Sequence, residues 1–176
     1  LLEKATPGLY WVAVLFSGLL ALQRSFAVEA ADGNRDALRL SGLDPAGIFL
    51  GKVLAVAVQL LVLEALLLVG VAVLYSTHLG GWPLLLATVV VATAGIAAAG
   101  TLYGVVAAGL RVRETLLPLL LLPVLAPVLI GSTRAFEAAL ADTPSEGWPW
   151  VGLMGVFAVL YVVAGVLGFG PLMEES

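Results

Sequence analysis

An all-α bundle of membrane-spanning helices is what this sequence predicts, and three observations carry the prediction. The 176 residues are 61% hydrophobic and 11% charged, where a soluble domain carries ~25% charged residues; the mean hydropathy is +1.11. Uncharged runs long enough to cross a bilayer recur along the chain, since a spanning helix needs ~20 apolar residues. Only one long polar segment, residues 24–52, interrupts them; elsewhere the breaks are short and marked by Gly, Pro or a few charges.

Taken in order, the chain divides into five spans forming one transmembrane domain over residues 1–176. Residues 5–23 are uncharged and begin at Thr6-Pro7, which suit N-cap and first-turn positions. Tyr10 and Trp11 stand near that end, where interfacial aromatics are expected. Residues 24–52 form the polar segment, within which Gly42-Leu43-Asp44-Pro45 reads as a turn leading toward the second helix. Residues 53–77 make that helix, broken by a single acid, Glu64. The Gly80-Gly81 pair and Pro83 end it, with Trp82 marking an interface. Residues 84–110 make the third span, 111–114 a tight charged turn, and 115–133 the fourth span. Residues 134–146 are polar and partly amphipathic. The fifth span, 147–173, is entered through Trp148-Pro149-Trp150, two aromatics assigned to the interfacial belt, and a short acidic tail follows.

Orientation follows from the bias of basic residues toward the cytoplasmic side. Arg24, Arg35, Arg39, Lys52, Arg111 and Arg113 fall in the two connections on one side, and only Lys4 and Arg134 on the other. Segments 24–52 and 111–114 are therefore expected in the cytoplasm, with the C-terminus. Parity places Leu1 outside, and no stretch of the sequence reads as a signal peptide. One further upstream helix, giving a six-span parent truncated at its N-terminus, would resolve that placement.

Several chemistries are excluded or disfavoured. The chain has no cysteine, which removes disulfides, thiolate-bound zinc, iron–sulfur clusters and C-x-x-C-H haem attachment. His78 is the sole histidine, which argues against a metal or haem site. No basic cluster suggests nucleic acid. Gly51-Lys52 resembles the end of a phosphate-binding loop, but Ala46 replaces its first glycine and Val53 its Ser/Thr. No paired-carboxylate, nucleophile-elbow or H-E-x-x-H arrangement appears, so no catalytic residue is assigned and the chain is not read as an enzyme. Any energy for work must come from a partner.

Candidate residues remain. Glu64 lies near the middle of its helix, where an acid costs ~2.5–3.5 kcal/mol on insertion scales. It should face the bundle, either as a protonated acid hydrogen-bonded to a neighbouring helix or as a polar element of a substrate pathway. Gln59, five positions earlier, does not share its face well. Gly100 and Gly104 form a G-x-x-x-G in a helix rich in small residues, suited to close packing inside the bundle or to a homodimer seam. Pro118, Pro123 and Pro127 each remove a backbone donor, so the fourth helix is expected to be kinked or broken, lining a cavity or flexing during transport. The polar segment itself is either a solvated connection or a docking surface.

The order Glu29, Asp32-Gly33, Leu38, Leu40, Pro45 and Gly51-Lys52 looks like permeases of the ABC-2 type. Leu122-Pro123-Val124-Leu125-Ala126-Pro127-Val128-Leu129-Ile130-Gly131, continued by Arg134-Ala135-Phe136-Glu137-Ala138-Ala139, resembles the corresponding stretch of the CcmB family. The small-residue helix from Gly95 to Gly109-Leu110-Arg111 is similar to that family's as well. In the polar segment Ala30, Ala31 and Asn34 stand where the family commonly has acids and aromatics. The resemblance implies a six-span permease subunit in the cell inner membrane, within an ABC complex for c-type cytochrome biogenesis. Its implied partners are a CcmA-like ATPase and CcmC- and CcmD-like membrane proteins, with the lipid bilayer around it. Haem is implied as cargo of the complex or as load on a released chaperone, not as a cofactor held by this chain. Residues 29–43 would include a coupling helix, with Glu29, Asp32, Gly33, Arg35, Asp36, Leu38 and Arg39 setting the docking register. An ABC-2 permease for a lipid, polysaccharide or drug, and a non-transporting membrane scaffold, remain as alternatives.

Overall fold

Five helices make up the regular structure among the described residues, which in this computed structural model are 2–30, 42–75, 81–108, 113–141 and 143–175. They are α1 (Leu2–Ala30), α2 (Pro45–Tyr75), α3 (Trp82–Ala108), α4 (Arg113–Leu140) and α5 (Pro144–Glu175). Each contains a stretch long and apolar enough to cross a membrane. The all-α membrane bundle expected from composition is the fold observed.

The helices extend beyond the uncharged runs that announce them. The bilayer limits the apolar part of a helix, not the helix itself, and Ala, Leu, Arg, Glu and Lys are good helix formers wherever they sit. α1 begins at Leu2, so Thr6-Pro7 lie inside it rather than at its cap, and it continues through Arg24 to Ala30. α2 begins at Pro45 and takes in Lys52. The expected separate segment at residues 134–146 is mostly helix: α4 runs on to Leu140, with Ala135, Phe136 and Ala139 buried and Arg134 exposed.

The prolines of α4 do not break it; Pro118, Pro123 and Pro127 all lie within the continuous helix. Proline within a membrane helix is tolerated where neighbouring groups or local adjustments re-satisfy the freed carbonyls. Pro123 and Pro127 are exposed on the outer surface of the bundle and Pro118 is half-buried. The first two therefore line no internal cavity.

Local signals set the helix starts. Gly42 sits at φ +69°, a conformation that glycine adopts without steric penalty. Two residues on, Asp44 accepts from the Gly47 N–H through Oδ2 at 3.3 Å and from the Ile48 N–H through its carbonyl at 3.1 Å. That is an N-cap followed by proline at the first helical position. At α5 the proline placement recurs in Thr143-Pro144, and the Glu146 N–H donates to the Thr143 carbonyl at 3.1 Å. Gly81 opens α3 for another reason: a Cβ there would lie 2.7 Å from the Ala139 carbonyl oxygen, so this turn and the end of α4 touch backbone to backbone.

α3 is the centre of the bundle. It contacts each of the other four helices, and those four close a ring around it in the order α1, α2, α5, α4. Its most apolar stretch is 72% buried, against 17% for α2. The sequence difference explains the placement. Helices approach to ~8–10 Å only as their contact residues allow, and α3 presents Ala92, Ala97, Ala98, Ala99 and Ala107, all buried. α2 presents Val and Leu outward, suited to acyl chains. Gly100 and Gly104 face α1: a Cβ on either would overlap the side chain of Leu22 or Phe26 respectively. That face is filled within the chain and leaves no seam for a second copy. On the other side of α3, Tyr103 packs with Tyr161 and that ring with Phe157, the centroids 6.3 and 4.5 Å apart.

Replacing Gly104 by Val should overpack the α1–α3 contact and destabilise the protein by about 1–3 kcal/mol. Gly152→Val, where nothing lies within 4 Å of the added Cβ, should be close to neutral. Thermal unfolding of the two purified variants in one detergent checks the contrast; equal melting would remove the close approach of α1.

Candidate functional site

The polar segment leaves the bundle from α1 and returns at α2, and the two roots are tied together. The Lys52 ammonium lies 4.8 Å from the ring centroid of Phe26 on α1 and 5.7 Å from that of Phe169 on α5. A cation over an aromatic face in a partly desolvated setting is worth ~0.5–2 kcal/mol. Phe49, fully buried, packs against Phe169 at 5.4 Å and fills the space that the missing side chain of Gly165 leaves. Pro45 approaches Gly170 one turn further out, its carbons 3.6 Å from where a Cβ would stand. A displacement of this end of α2 is therefore delivered to α1 and α5 as well. Lys52 thus ends in an aromatic clamp inside a helix, the opposite of a phosphate-binding loop.

Of the candidate docking residues, Glu29 falls in the last turn of α1. Asp32, Gly33, Arg35, Asp36, Leu38 and Arg39 lie outside the described residues, as do His78 and the turn at Arg111. The near ends of α1 and α2 and the far end of α5 share one side of the bundle, as the alternation of spans requires.

A second polar feature lies inside. Glu64 is fully buried, and the Thr93 hydroxyl of α3 donates to its Oε2 at 2.6 Å. The Tyr10 hydroxyl of α1 donates to the Glu64 backbone carbonyl at 3.2 Å. One residue thus holds three helices. Its Oε1 has no partner among the described residues, and the same is true of the buried Trp11 Nε1 and Thr101 Oγ1. Tyr10 and Trp11, expected at the membrane interface, are buried instead, 4% and 1% exposed. The extension of α4 brings Phe136 onto them, its ring centroid 4.9 and 6.4 Å from theirs. Trp148 has half of its surface exposed, while Trp150 is partly covered.

The opposite end carries two shallow grooves, of about 520 and 380 Å³, on either side of the α4 ridge formed by Ile130, Arg134 and Glu137. Arg134 and Glu137 pair across it at 3.1 Å in an exposed setting, an interaction of small net worth. Among the described residues no cluster of His, Asp or Glu could hold a metal ion. Glu64 and Lys52, by contrast, bind helices to one another.

Thr93 as the partner of Glu64, and the aromatic clamp on Lys52, were not foreseen from the sequence. The first had a usable signal. Glu64 precedes the end of α2 by as many residues as Thr93 follows the start of α3, and antiparallel neighbours at equal distance from their connection meet at equal depth. The clamp had none, because α5 is distant in sequence and its aromatics resemble any others.

A bundle of five helices long and apolar enough to cross a membrane, with one polar segment braced at its root, is the architecture of a multi-pass membrane protein. The chain belongs to the CcmB protein family, whose profile it matches over residues 1–171. It is 34% identical to heme exporter protein B of Haemophilus influenzae and to that of Pseudomonas aeruginosa, in each case across 84% of this chain and 66% of the relative. The Escherichia coli protein of the same name is 34% identical across 84% of this chain and 67% of its own length. The chain thus spans about two thirds of the length of these relatives. No solved structure matches it.

The Thr93–Glu64 hydrogen bond yields a test of its own. Thr93→Val keeps the shape and strands the carboxyl, and should destabilise the bundle by about 1–3 kcal/mol. Adding Glu64→Leu should recover part of that loss, because both polar partners are then gone. A double-mutant cycle on unfolding in mixed micelles measures the coupling, and strict additivity would show that the bond holds nothing.

Proposed function

We propose that this chain is the membrane-spanning permease part of an ABC-type complex required for c-type cytochrome biogenesis. The observation that carries the reading is membership of the CcmB family along almost the entire chain, with relatives named heme exporter protein B. In this reading ATP is hydrolysed by a separate CcmA-like subunit, and CcmC- and CcmD-like proteins complete the assembly. Haem is cargo of that complex, or is carried by a chaperone the complex releases, and is not a resident cofactor of this chain. The protein sits in the inner membrane with residues 24–52, 111–114 and the C-terminus in the cytoplasm, as the distribution of basic residues favours.

The polar segment is the docking surface in this mechanism. Closure of the ATPase dimer displaces the segment between α1 and α2. The Lys52 clamp carries that displacement into α1, α2 and α5 together, and Glu64 with Tyr10 and Thr93 keeps the far halves of α1 and α2 registered on α3. The charges at Glu29, Asp32, Arg35, Asp36 and Arg39 set the register of docking.

Reversing Asp36 and Arg39 together, as Asp36→Arg and Arg39→Asp in the full-length protein, should lower co-purification of the ATPase about tenfold while leaving membrane insertion unchanged. Full retention, with undiminished complex activity, would place docking elsewhere. Deleting the gene should abolish c-type cytochromes, detected by haem staining of membrane proteins. Normal cytochromes in the deletion strain would favour a lipid, polysaccharide or drug as cargo.

A further inference from the structure

The helical extension at the end of α4 is fastened along its two edges by contacts of different kinds. Residues 134–140 continue the helix past its uncharged part and are amphipathic. Ala135, Phe136 and Ala139 are buried, and Arg134 and Glu137 carry their charges on the other face. Toward α3 and α5 the extension is held by backbone. A Cβ on Gly81 would lie 2.7 Å from the Ala139 carbonyl oxygen, and one on Gly147 would overlap Leu84 and come within 3.2 Å of the Ala138 Cβ. The Thr143 N–H then donates to the Ala138 carbonyl at 3.0 Å as the chain turns into α5. Contacts of this kind have little slack, because main chain has no rotamer to change.

Toward α1 the extension is held by rings instead. The fully buried Phe136 sits on Tyr10 and Trp11 in a tilted and an edge contact, geometries that aromatic pairs make over a range of offsets. Beneath them the Tyr10 hydroxyl donates to the Glu64 backbone carbonyl, and Thr93 meets the Glu64 carboxyl. The aromatic contact therefore covers the polar layer inside the bundle. Two buried polar atoms that lack a partner among the described residues, Trp11 Nε1 and Glu64 Oε1, belong to this group. Such an atom gains hydrogen bonds as soon as water reaches it. An edge that carries them parts at a lower cost in free energy than one sealed by apolar groups alone, and local opening takes the least costly edge. All of these groups are buried within the five helices, so their burial does not depend on what surrounds the bundle.

We propose that residues 134–140 form a lid over the Glu64–Thr93 layer, hinged on the Gly81 and Gly147 contacts and latched by Phe136 on Tyr10 and Trp11. The lid lifts at the α1 edge, and lifting admits water to Glu64 from the end of the bundle opposite the polar segment. The inference rests on the packing of these helices and not on the cargo or the energy source of the complex.

The absence of cysteine from residues 1–176 makes the test direct. Single cysteines are placed in the full-length protein, cleared of any cysteine elsewhere, and exposed in isolated membranes to a water-soluble maleimide. Ser132→Cys, buried one turn before Phe136 on α4, and Val14→Cys, buried one turn after Tyr10 on α1, report on the latch side. Leu85→Cys and Val151→Cys, also buried, report on the hinge side. All four should react slowly in the otherwise unaltered protein. Phe136→Ala should raise the latch-side rates about tenfold or more and leave the hinge-side rates within about twofold. Phe136→Leu, which refills most of the space, should return the latch side toward its starting rate. Trp11→Leu cuts the latch from α1 and should act as Phe136→Ala does, which keeps the test decisive if that variant does not accumulate. Leu84→Ala removes a buried side chain from the hinge side and should leave Ser132→Cys slow. An equal rise at all four positions, an equal rise with Leu84→Ala, or no rise with either latch variant would each overturn the lid.

Discussion

A helix touched on every side by other helices can carry only side chains that leave room for them, and α3 is such a helix. With no hydrophobic drive between helices in lipid, their association rests on close van der Waals contact and a few hydrogen bonds. α3 supplies both. Its Gly100 and Gly104 admit Leu22 and Phe26 of α1, and its Thr93 bonds Glu64 of α2. The ring of α1, α2, α5 and α4 around it follows from that one requirement. Larger side chains on α3 would push the ring apart, and only α3 joins its opposite members: α1 does not contact α5, nor α2 α4, among the described residues.

The two polar features divide the labour along the membrane normal. Toward one side Glu64 ties α2 to the central helix through a 2.6 Å hydrogen bond and accepts another from α1, in a setting where a lost partner is expensive. At the other, Lys52 ties the same two helices to α5 through aromatic faces, a softer and less directional contact. A push on the polar segment therefore meets a stiff anchor deep in the bundle and a compliant brace at the surface. That is a lever arrangement, and it is what the docking role proposed for the segment requires.

Much of this architecture was legible in the sequence, and the exceptions share a cause. The spans were visible because an apolar stretch of spanning length is a one-dimensional property. Helix ends were not, since Arg24, Lys52 and Arg134 continue helices past the bilayer and hydropathy registers only the lipid-facing part. Tyr10 and Trp11 were misplaced at the interface for the same reason: what buries them is Phe136, on an extension of α4 that no apolar run announced. The prolines of α4 promised a break, but Pro123 and Pro127 face outward, where the kinked lining of a cavity is not required. Contacts between distant helices, such as Lys52 on Phe169, depend on three-dimensional order and leave no trace in local pattern.

Glu64 and Gln59 show how much that order decides. The two sit on one helix, five residues apart, and are chemically close. One turns toward α3 and finds Thr93; the other is exposed, turned away from the three helices that α2 contacts. Composition alone would rank the acid as the more costly and hence the more informative residue. Within the bundle the ranking reverses, because the acid is bonded on one oxygen and buried among its partners, whereas the amide is left to the surroundings. In a membrane helix the packing around a polar residue, and not its type alone, decides whether it is bonded among the described residues.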